Sequence, residues 1–312
     1  MRAARVHELG ASPRLDEVGD PQPAQGRSVV SIRAAALNPL DLAVAAGRFY
    51  GGHPPLPYIP GSEAVVELDD GTRGWFYGDG AGTKRDGTLA ERALVRKELV
   101  IPLPDGADDA TASALGIAGG AGWGALERAG VGPGDRVLVL GATGTAGSIA
   151  VQGARLLGAD RIVAAGRNER RLERALELGA DDTVHLEADD LVVRFKESAG
   201  DEGPTVVLDF VWNGPLVAAS EASAPHARLV NVGQSAGPEA ALTSAAVRGK
   251  ELDVLGYSLF ARTPVELSAL YLGLLSRAQA GDIRVDIETF SLAEVDEAWR
   301  RQAAGAKSVV ML

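Results

Sequence analysis

Residues 136–159 read RVLVLGATGTAGSIAVQGARLLGA, and this stretch decides the fold of the chain. Its first five residues, 136–140, are almost wholly apolar, which predicts a buried strand. Glycines at 141, 144 and 147 follow at once, and the apolar-rich run after them predicts a helix from about Gly147 to Leu157. A buried strand that passes through glycines into a helix is typical of a parallel, doubly wound sheet.

The alternation of strands and helices continues beyond this stretch. The segment ERRLERALELG predicts an amphipathic helix ending at Gly179, and ADDLVVRFKESAG predicts another, with Gly200 at its C-cap. Residues 117–256 are therefore predicted to form one Rossmann-type α/β domain. Its further strands are predicted at residues 161–165, 182–186, 205–211, 228–233 and 251–257.

The two ends of the chain have a different pattern. Residues 1–116 hold short β-like runs, such as SVVSIRAAAL and SEAVVEL, between proline and glycine clusters, which predicts an irregular, mostly antiparallel β domain. Residues 257–312 hold two helical stretches and a final apolar run, KSVVML. Because this tail is too short to fold alone, we expect it to complete the first domain, with SVVML adding a strand.

Composition excludes several kinds of site and partner. The 312 residues include no cysteine, which rules out disulfides, thiol nucleophiles and thiolate zinc sites, and the four histidines have no metal-ligand spacing. We therefore expect no metal site. The formal net charge of −11 argues against nucleic acid or an anionic membrane as the main partner. The absence of a membrane-spanning run and of a signal-peptide pattern favours a cytoplasmic protein.

The glycine turn predicts a site for the pyrophosphate of a dinucleotide. Glycines allow a tight turn and let backbone N–H groups approach the phosphates, and the helix N-terminus adds its positive dipole end. The spacing is G-x-x-G-x-x-G, which fits the common G-x-G-x-x-G pattern imperfectly. The alternative is a purely structural turn. The predicted cofactor contacts here are Gly141, Thr143, Gly144, Thr145, Ala146 and Gly147.

The end of the second Rossmann strand favours NADP(H) over NAD(H). An NAD enzyme would carry an acidic residue near residues 166–168 to accept the ribose hydroxyls, but this chain has Gly166, Arg167 and Asn168. An arginine can instead pair with a 2′-phosphate. Asn168 is interpreted either as a second donor or as the cap of the next helix. Arg170 and Arg171 are expected mainly on a solvated helix face.

With these motifs in place, the chain resembles the medium-chain dehydrogenase/reductase superfamily, in its zinc-independent, quinone oxidoreductase-like branch. The resemblance extends over essentially the whole sequence. It rests on the order and spacing of AAALNPLDLAVAAGRFY (34–50), PPLPYIPGSEAVVEL (54–68), GTLAERALV (87–95), GPGDRVLVLGATGTAGSIAVQGARLLGA (132–159), ELGADDTV (177–184), ARLVNVG (227–233) and AGAKSVVML (304–312).

The resemblance implies an architecture and a partner. It implies that residues 1–116 and 257–312 form a GroES-like catalytic domain, with the active site in the cleft beside the NADP-binding domain, and that the chain is a homo-oligomer, commonly a dimer. In the zinc branch a cysteine ligand would stand close to NPLD (38–41), which has none here. The sequence departs from the quinone reductase pattern at Ala43, Ala121 and Val66, where that pattern often has Tyr, Thr and Gly.

The resemblance also places further cofactor contacts at the ends of the later strands. The aromatic residues Phe210 and Trp212 are interpreted as flanking the ribose or adenine, or as buried packing. The segment NVGQSAG is expected to border the nicotinamide, and the residues just past the sixth strand are expected to reach its carboxamide. The predicted contacts in these segments are Phe210, Val211, Val232, Gly233, Gln234, Ser235, Tyr257 and Ser258.

Two residues are candidates for contact with the substrate. Asn38 matches the family's NP segment, although it could simply order the turn before its proline, and Tyr50 is interpreted as a hydrogen-bond or proton donor or as loop packing. Asp41 is expected to cap the following helix, and Glu63 resembles a buried structural carboxylate. Lys307 is expected in solvent, with an approach to the cofactor as the alternative.

The predicted function is NADPH-dependent reduction of a quinone or an α,β-unsaturated carbonyl. Without a metal, a substrate carbonyl is polarised by hydrogen-bond donors, and conjugate reduction suits such a site because the negative charge delocalises into an enolate. Reduction of an isolated ketone benefits more from a Lewis acid. The alternatives are a zinc-free carbonyl or alcohol oxidoreductase, and an NADPH-binding protein without catalysis that acts as a structural or regulatory partner.

Overall fold

The computed structural model describes residues 1–24 and 26–312, which divide into two compact units. The first unit comprises Met1–Ala118, Thr263–Gln279 and Val285–Leu312, and the second comprises Gly119–Arg262 with Ala280–Arg284. Both contain helices and strands, and the predicted α/β fold class, with one β-rich domain and one doubly wound parallel-sheet domain, is confirmed.

The strands, in chain order, are β1 (Arg2–Arg5), β2 (Arg14–Glu17), β3 (Ser28–Ala36), β4 (Glu63–Glu67), β5 (Arg73–Tyr77), β6 (Arg92–Val95), β7 (Val100–Pro102), β8 (Arg136–Leu140), β9 (Arg161–Gly166), β10 (Asp182–His185), β11 (Val206–Asp209), β12 (Arg228–Asn231), β13 (Asp253–Gly256), β14 (Ile287–Ser291) and β15 (Lys307–Met311). The α-helices are α1 (Pro39–Ala45), α2 (Asp109–Leu115), α3 (Ile117–Ala129), α4 (Thr145–Leu156), α5 (Glu169–Glu177), α6 (Leu191–Ala199), α7 (Asn213–Ala222), α8 (Ser244–Gly249), α9 (Pro264–Ala280) and α10 (Val295–Ala303).

The first unit is built on a sheet of seven strands. Its order is β14-β15-β3-β4-β5-β7, and β6 pairs with the first half of β3. The C-terminal strand β15 lies antiparallel to β3, with Val309 opposite Ala36. The prediction that SVVML adds a strand to the first sheet is therefore confirmed. Strand β14, which lies beside β15, was not predicted from the sequence.

The second unit has the topology of a dinucleotide-binding domain. Its six strands are all parallel, in the order β10-β9-β8-β11-β12-β13. The chain enters at the centre with β8, moves outward to β10, and then returns to β11 on the other side. The carboxyl ends of β8 and β11, where Leu140 lies opposite Asp209, therefore flank the switch point at which such sheets bind ligands.

Four predicted strands extend beyond the observed ones, and the one predicted at 182–186 does so by a single residue, since β10 ends at His185. The strand predicted at 205–211 ends at Asp209, because the Asp209 carboxylate accepts the N–H groups of Val211 and Trp212 and turns the backbone out of the ladder. The strands predicted at 228–233 and 251–257 are likewise shorter, since β12 ends at Asn231 and β13 begins at Asp253. Conversely, helix α4 begins two residues earlier than predicted, at Thr145.

Candidate active site

The glycine turn after β8 is closed too tightly for side chains at two of its positions. Gly141 has φ +87°, a left-handed backbone that favours glycine, and its N–H donates to the carbonyl of Ala165 at 2.9 Å. A Cβ at Gly147 would lie 2.3 Å from the Gly141 oxygen and 2.7 Å from the Ala142 Cα. At Gly144, by contrast, the nearest heavy atom to such a Cβ would be 3.5 Å away.

Helix α4 directs its first N–H groups out of this turn. Gly144 is the N-cap residue, and the Ser148 N–H donates to its carbonyl at 2.8 Å. Ser148 is thus the first residue of α4 whose N–H is hydrogen-bonded within the helix. The N–H groups of Thr145, Ala146 and Gly147 have no acceptor within the helix, so they are available to a ligand. A buried strand, an N-cap glycine and a twelve-residue helix together have the features of sites that hold a pyrophosphate, and the cofactor contacts expected in this turn stay predictions.

The end of β9 packs against the same turn. A Cβ at Gly166 would lie 2.3 Å from the Thr143 Cγ2 atom, so these two predicted contact residues meet closely. Arg167, the next residue, is exposed, and its carbonyl oxygen lies 2.8 Å from the His185 Nε2 atom. The contact with His185 of β10 therefore holds the backbone of Arg167. The guanidinium of Arg167 remains accessible to an anionic group.

Helix α5 brings a second guanidinium to this place. Asn168 caps the helix, because its Oδ1 atom accepts the Arg171 N–H at 3.1 Å, which supports the capping interpretation of this residue. The Arg171 side chain is half-buried, and its Nη1 atom donates to the Thr143 carbonyl at 3.4 Å. The expectation of a solvated face is correct for the exposed Arg170 and wrong for Arg171, since helical spacing alone does not show which face meets the turn.

The loop after β11 borders the glycine turn from the other side. A Cβ at Gly141 would lie 3.0 Å from the Val211 Cγ1 atom and 3.3 Å from the Phe210 Cβ atom. The carbonyl of Asp209 accepts the Val232 N–H at 2.8 Å, which joins this loop to the end of β12. Two predicted contact residues, Phe210 and Val211, therefore border the turn, and Val232 is joined to their loop.

The loop after β12 is tied closely to the loop after β11. A Cβ at Gly233 would lie 2.6 Å from the Phe210 oxygen, and the Ser235 hydroxyl donates to that same oxygen at 3.3 Å. The Ala236 N–H donates to the Val211 carbonyl at 2.7 Å. These contacts join the predicted cofactor contacts of the two loops, those expected at the ribose or adenine and those expected at the nicotinamide.

Of the predicted contacts after β13, Tyr257 is held by other groups of the second unit. The Tyr257 hydroxyl donates to the Gly120 carbonyl at 2.9 Å, and the guanidinium carbon of Arg262 lies 5.4 Å from the centre of its ring. Burial raises the pKa of the Tyr257 phenol. Ser258 is exposed, as is Gln234. The proposed contacts of Tyr257, Ser258 and Gln234 with the cofactor stay predictions.

In the first unit, Asn38 belongs to a buried network of charges. Its Nδ2 group donates to the Glu63 Oε1 atom at 2.7 Å, and its Oδ1 atom accepts a hydrogen bond from the Lys307 ammonium at 2.9 Å. Lys307 also donates to the Leu37 carbonyl at 3.0 Å and lies 3.6 Å from Glu63. Only 3% of Lys307 is exposed, so the expectation that it lies in solvent is wrong. The catalytic role of Asn38 stays a prediction, since its amide is committed within the protein.

Glu63 is the centre of this network. It is fully buried, as the resemblance implies, and its Oε2 atom accepts the indole N–H of Trp75 at 2.9 Å and the Ile117 N–H at 2.7 Å. Burial raises the pKa of Glu63, while Lys307 and the donors oppose that shift. Burial also lowers the pKa of Lys307. Because every hydrogen-bond partner of Glu63 is a donor, we assign it as a carboxylate paired with the ammonium.

Asp41 is the second buried carboxyl group here, and it caps helix α1 as predicted. Its Oδ2 atom accepts the Asn38 N–H at 2.8 Å, and its Oδ1 atom accepts the Ser62 hydroxyl at 2.7 Å. Burial raises the pKa of Asp41 to about 6. The residue therefore helps to hold the backbone at Asn38.

Tyr50, the other candidate for contact with a substrate, lies in a loop of the first unit. Its side chain is 86% exposed, and its ring centre lies 4.5 Å from that of Phe49. The phenol is therefore accessible, and its catalytic role stays a prediction. Across residues 1–24 and 26–312, no group of three or more His, Cys, Asp or Glu side chains is arranged to hold a metal ion.

Comparisons with known proteins agree with this geometry. The family described as zinc-binding dehydrogenase matches residues 146–275. The chain is 30% identical over 290 residues to a quinone oxidoreductase of Rattus norvegicus, covering 90% of this chain and 86% of the relative. It is 29% identical over 239 residues to an alcohol dehydrogenase of Geobacillus stearothermophilus, covering 66% and 70%. The structure of a Thermus thermophilus quinone oxidoreductase, which has also been solved in complex with NADPH, superposes with a TM-score of 0.83 at 30% identity and covers both chains fully.

Proposed function

The chain belongs to the medium-chain dehydrogenase/reductase superfamily, in its quinone oxidoreductase-like branch, and from that membership we propose that it uses NADPH to reduce a quinone or an α,β-unsaturated carbonyl. The observation that carries the proposal is the glycine turn, in which a Cβ at Gly147 would lie 2.3 Å from the Gly141 oxygen while the open N-terminus of α4 faces outward. This geometry suits a dinucleotide pyrophosphate.

Two cations support NADP(H) as the form of the cofactor. Arg167 is exposed at the carboxyl end of β9, and the guanidinium of Arg171 donates to the Thr143 carbonyl in the glycine turn. A 2′-phosphate binds well to guanidinium groups, whereas the ribose hydroxyl of NAD is usually held by an acidic residue at this position. The relative from Thermus thermophilus is itself described with NADPH.

The residues of the chain do not fit a zinc ion. The sequence has no cysteine, and none of the residues that the structure describes form a three-ligand group. The Asn38 amide donates to the Glu63 carboxylate, and the Ser62 hydroxyl donates to the Asp41 carboxylate. The cation that lies beside Glu63 is the Lys307 ammonium. A substrate carbonyl would therefore be polarised by hydrogen-bond donors.

The proposed chemistry divides between the bound cofactor and the protein. When bound, NADPH supplies the hydride. The protein provides donors to the carbonyl oxygen, where negative charge develops, and a route for the proton that completes the reduction. We propose the accessible Tyr50 phenol as such a donor, and Asn38, whose N–H donates to the Asp41 carboxylate, as a residue that orders the start of α1.

A carbonyl or alcohol oxidoreductase is the second candidate, and the similarity to an alcohol dehydrogenase favours keeping it. The experiment that separates the two is NADPH oxidation by the purified chain with 1,4-benzoquinone, a simple enone and an unconjugated ketone. We expect turnover with the quinone or the enone and little with the ketone, because a delocalised enolate needs less stabilisation than a localised alkoxide. Turnover with the ketone alone would refute conjugate reduction. Tight NADPH binding without turnover would favour a non-catalytic role.

Arg167→Ala tests the cofactor preference. A charge-assisted hydrogen bond contributes about 1.5–3 kcal/mol, so we expect NADPH affinity to fall about 10–100-fold while NADH affinity stays the same. Isothermal titration of both nucleotides measures this. Arg170→Ala, which removes a neighbouring exposed arginine, is the matched control and should bind NADPH like the wild type. Equal affinity of the wild type for NADH and NADPH would contradict the role of Arg167.

We also propose that the chain is a cytoplasmic homodimer. Strand β13 is at the edge of the six-stranded sheet, and its Val254 is exposed, so a second copy could extend the sheet there. The helices of residues 1–24 and 26–312 include none that combines the length and the apolar character needed to cross a membrane.

A further inference from the structure

A histidine ring lies between the ends of β9 and β10. Strand β10 is at the edge of the six-stranded sheet, next to β9, and their parallel register ends with His185 opposite Gly166. One residue further on, the Leu186 N–H donates to the Gly166 carbonyl at 2.8 Å. The next carbonyl of that chain, which belongs to Arg167, is bonded by the His185 side chain instead of by the backbone of β10. The ring therefore continues the pairing of the two strands by one residue.

Both nitrogens of the His185 ring have a backbone partner. The Nε2 atom lies 2.8 Å from the Arg167 carbonyl oxygen, and the Nδ1 atom lies 3.3 Å from the Glu187 nitrogen. A carbonyl oxygen can only accept a hydrogen bond and a backbone N–H can only donate one, so Nε2 carries the hydrogen and Nδ1 keeps its lone pair. The two partners thus assign the Nε2–H tautomer to His185 and fix the orientation of its ring.

The backbone that His185 holds carries the exposed side chain of Arg167. A long, flexible side chain reaches a defined point more readily from a fixed backbone, because less ordering remains to be done when a ligand arrives. The proposed function gives Arg167 the 2′-phosphate of NADPH, a group that NADH does not have. Loss of the His185 ring should therefore weaken the binding of NADPH and leave the binding of NADH unchanged.

We propose that His185 is a positioning residue for the preference of NADPH over NADH, and that it acts through the backbone of Arg167 without touching the nucleotide. The inference rests on the proposed use of NADPH and adds a residue of β10 to its recognition. A merely structural role of His185 predicts a different result. It would weaken the binding of both nucleotides alike, because both need the same glycine turn after β8.

His185→Leu and His185→Gln test this role together. Leucine removes both hydrogen bonds, and we expect NADPH affinity to fall about 2–10-fold while NADH affinity stays the same. The glutamine side-chain amide can still donate to the Arg167 carbonyl, so His185→Gln should recover most of the NADPH affinity. Isothermal titration of both nucleotides gives the ratio. His7→Leu is the matched control, because the His7 Nε2 atom also has one partner at 2.8 Å, the Asp16 carboxylate of the first unit. It should leave both affinities unchanged.

A second measurement uses the wild-type protein and does not depend on how His185→Leu folds. Nitrogen NMR of the histidine rings, with the His185 signals identified by their loss in His185→Gln, should show the Nε2–H tautomer. The other tautomer would overturn the proposal. So would unchanged NADPH affinity in His185→Leu, or an equal fall for both nucleotides, and either result would leave the proposed use of NADPH intact. A wild type that binds NADH as tightly as NADPH would refute the proposed cofactor preference itself, and the inference with it.

Discussion

Lys307→Met is expected to destabilise the protein by about 3–5 kcal/mol, because it removes one partner of a buried ion pair. The variant leaves the Glu63 carboxylate without its cation and leaves the Leu37 carbonyl and the Asn38 Oδ1 atom without their donor. Urea denaturation followed by circular dichroism measures the loss as a lower midpoint. Lys97→Met, which replaces an exposed lysine of the same unit, should change stability by less than about 0.5 kcal/mol.

A second substitution tests whether the loss comes from the unpaired charge. In Lys307→Met/Glu63→Gln both charges are removed. The oxygen of the new side-chain amide at position 63 can still accept from Trp75 and Ile117, and the Asn38 amide can turn over so that its oxygen accepts from the new NH₂ group. We expect this double variant to be more stable than Lys307→Met alone, since removing both charges of a buried pair costs far less than removing one. A loss below about 1 kcal/mol in Lys307→Met would contradict the assignment of the pair as ionised.

Local sequence signals were enough to predict the second unit. Each of these signals depends on only a few neighbouring residues. The apolar run at Arg136–Leu140 forms β8, the glycines after it form the turn, and Gly200 is the C-cap of α6, all as predicted. The strand ends were less well predicted, because the Asp209 carboxylate, rather than any loss of apolar residues, ends β11.

Long-range contacts explain what the sequence did not reveal. Lys307 pairs with Glu63 and Asn38, which are more than 240 positions away, and a lysine near the C-terminus of a chain carries no local signal of burial. Strands β1 and β2 form a separate antiparallel pair, but the polar sequence RLDE (14–17) does not have the alternation of a half-buried strand. The contact of Arg171 with Thr143 likewise depends on how α5 packs.

The glycines of the turn after β8 provide the strongest test of the proposed cofactor site, because two of them have opposite steric surroundings. Gly147→Ala would force a methyl group against the Gly141 oxygen at 2.3 Å, so the backbone must shift. We expect it to lose about 2–4 kcal/mol of stability and to weaken NADPH binding more than about 100-fold. Urea denaturation and nucleotide titration measure the two effects separately.

Gly144→Ala should separate ligand binding from folding at the same turn. Its backbone, φ −88° and ψ 163°, accepts alanine, and its Cβ would lie 3.5 Å from the nearest heavy atom, so a loss of stability of about 1 kcal/mol or less is expected. NADPH affinity should still fall more than about tenfold, because the methyl group stands at the N-cap where the pyrophosphate must approach the backbone. Gly132→Ala, with no heavy atom within 4 Å, should change neither property. If Gly144→Ala binds NADPH as tightly as the wild type, the turn does not hold a pyrophosphate in the way proposed, and the nucleotide-dependent function loses its main structural support.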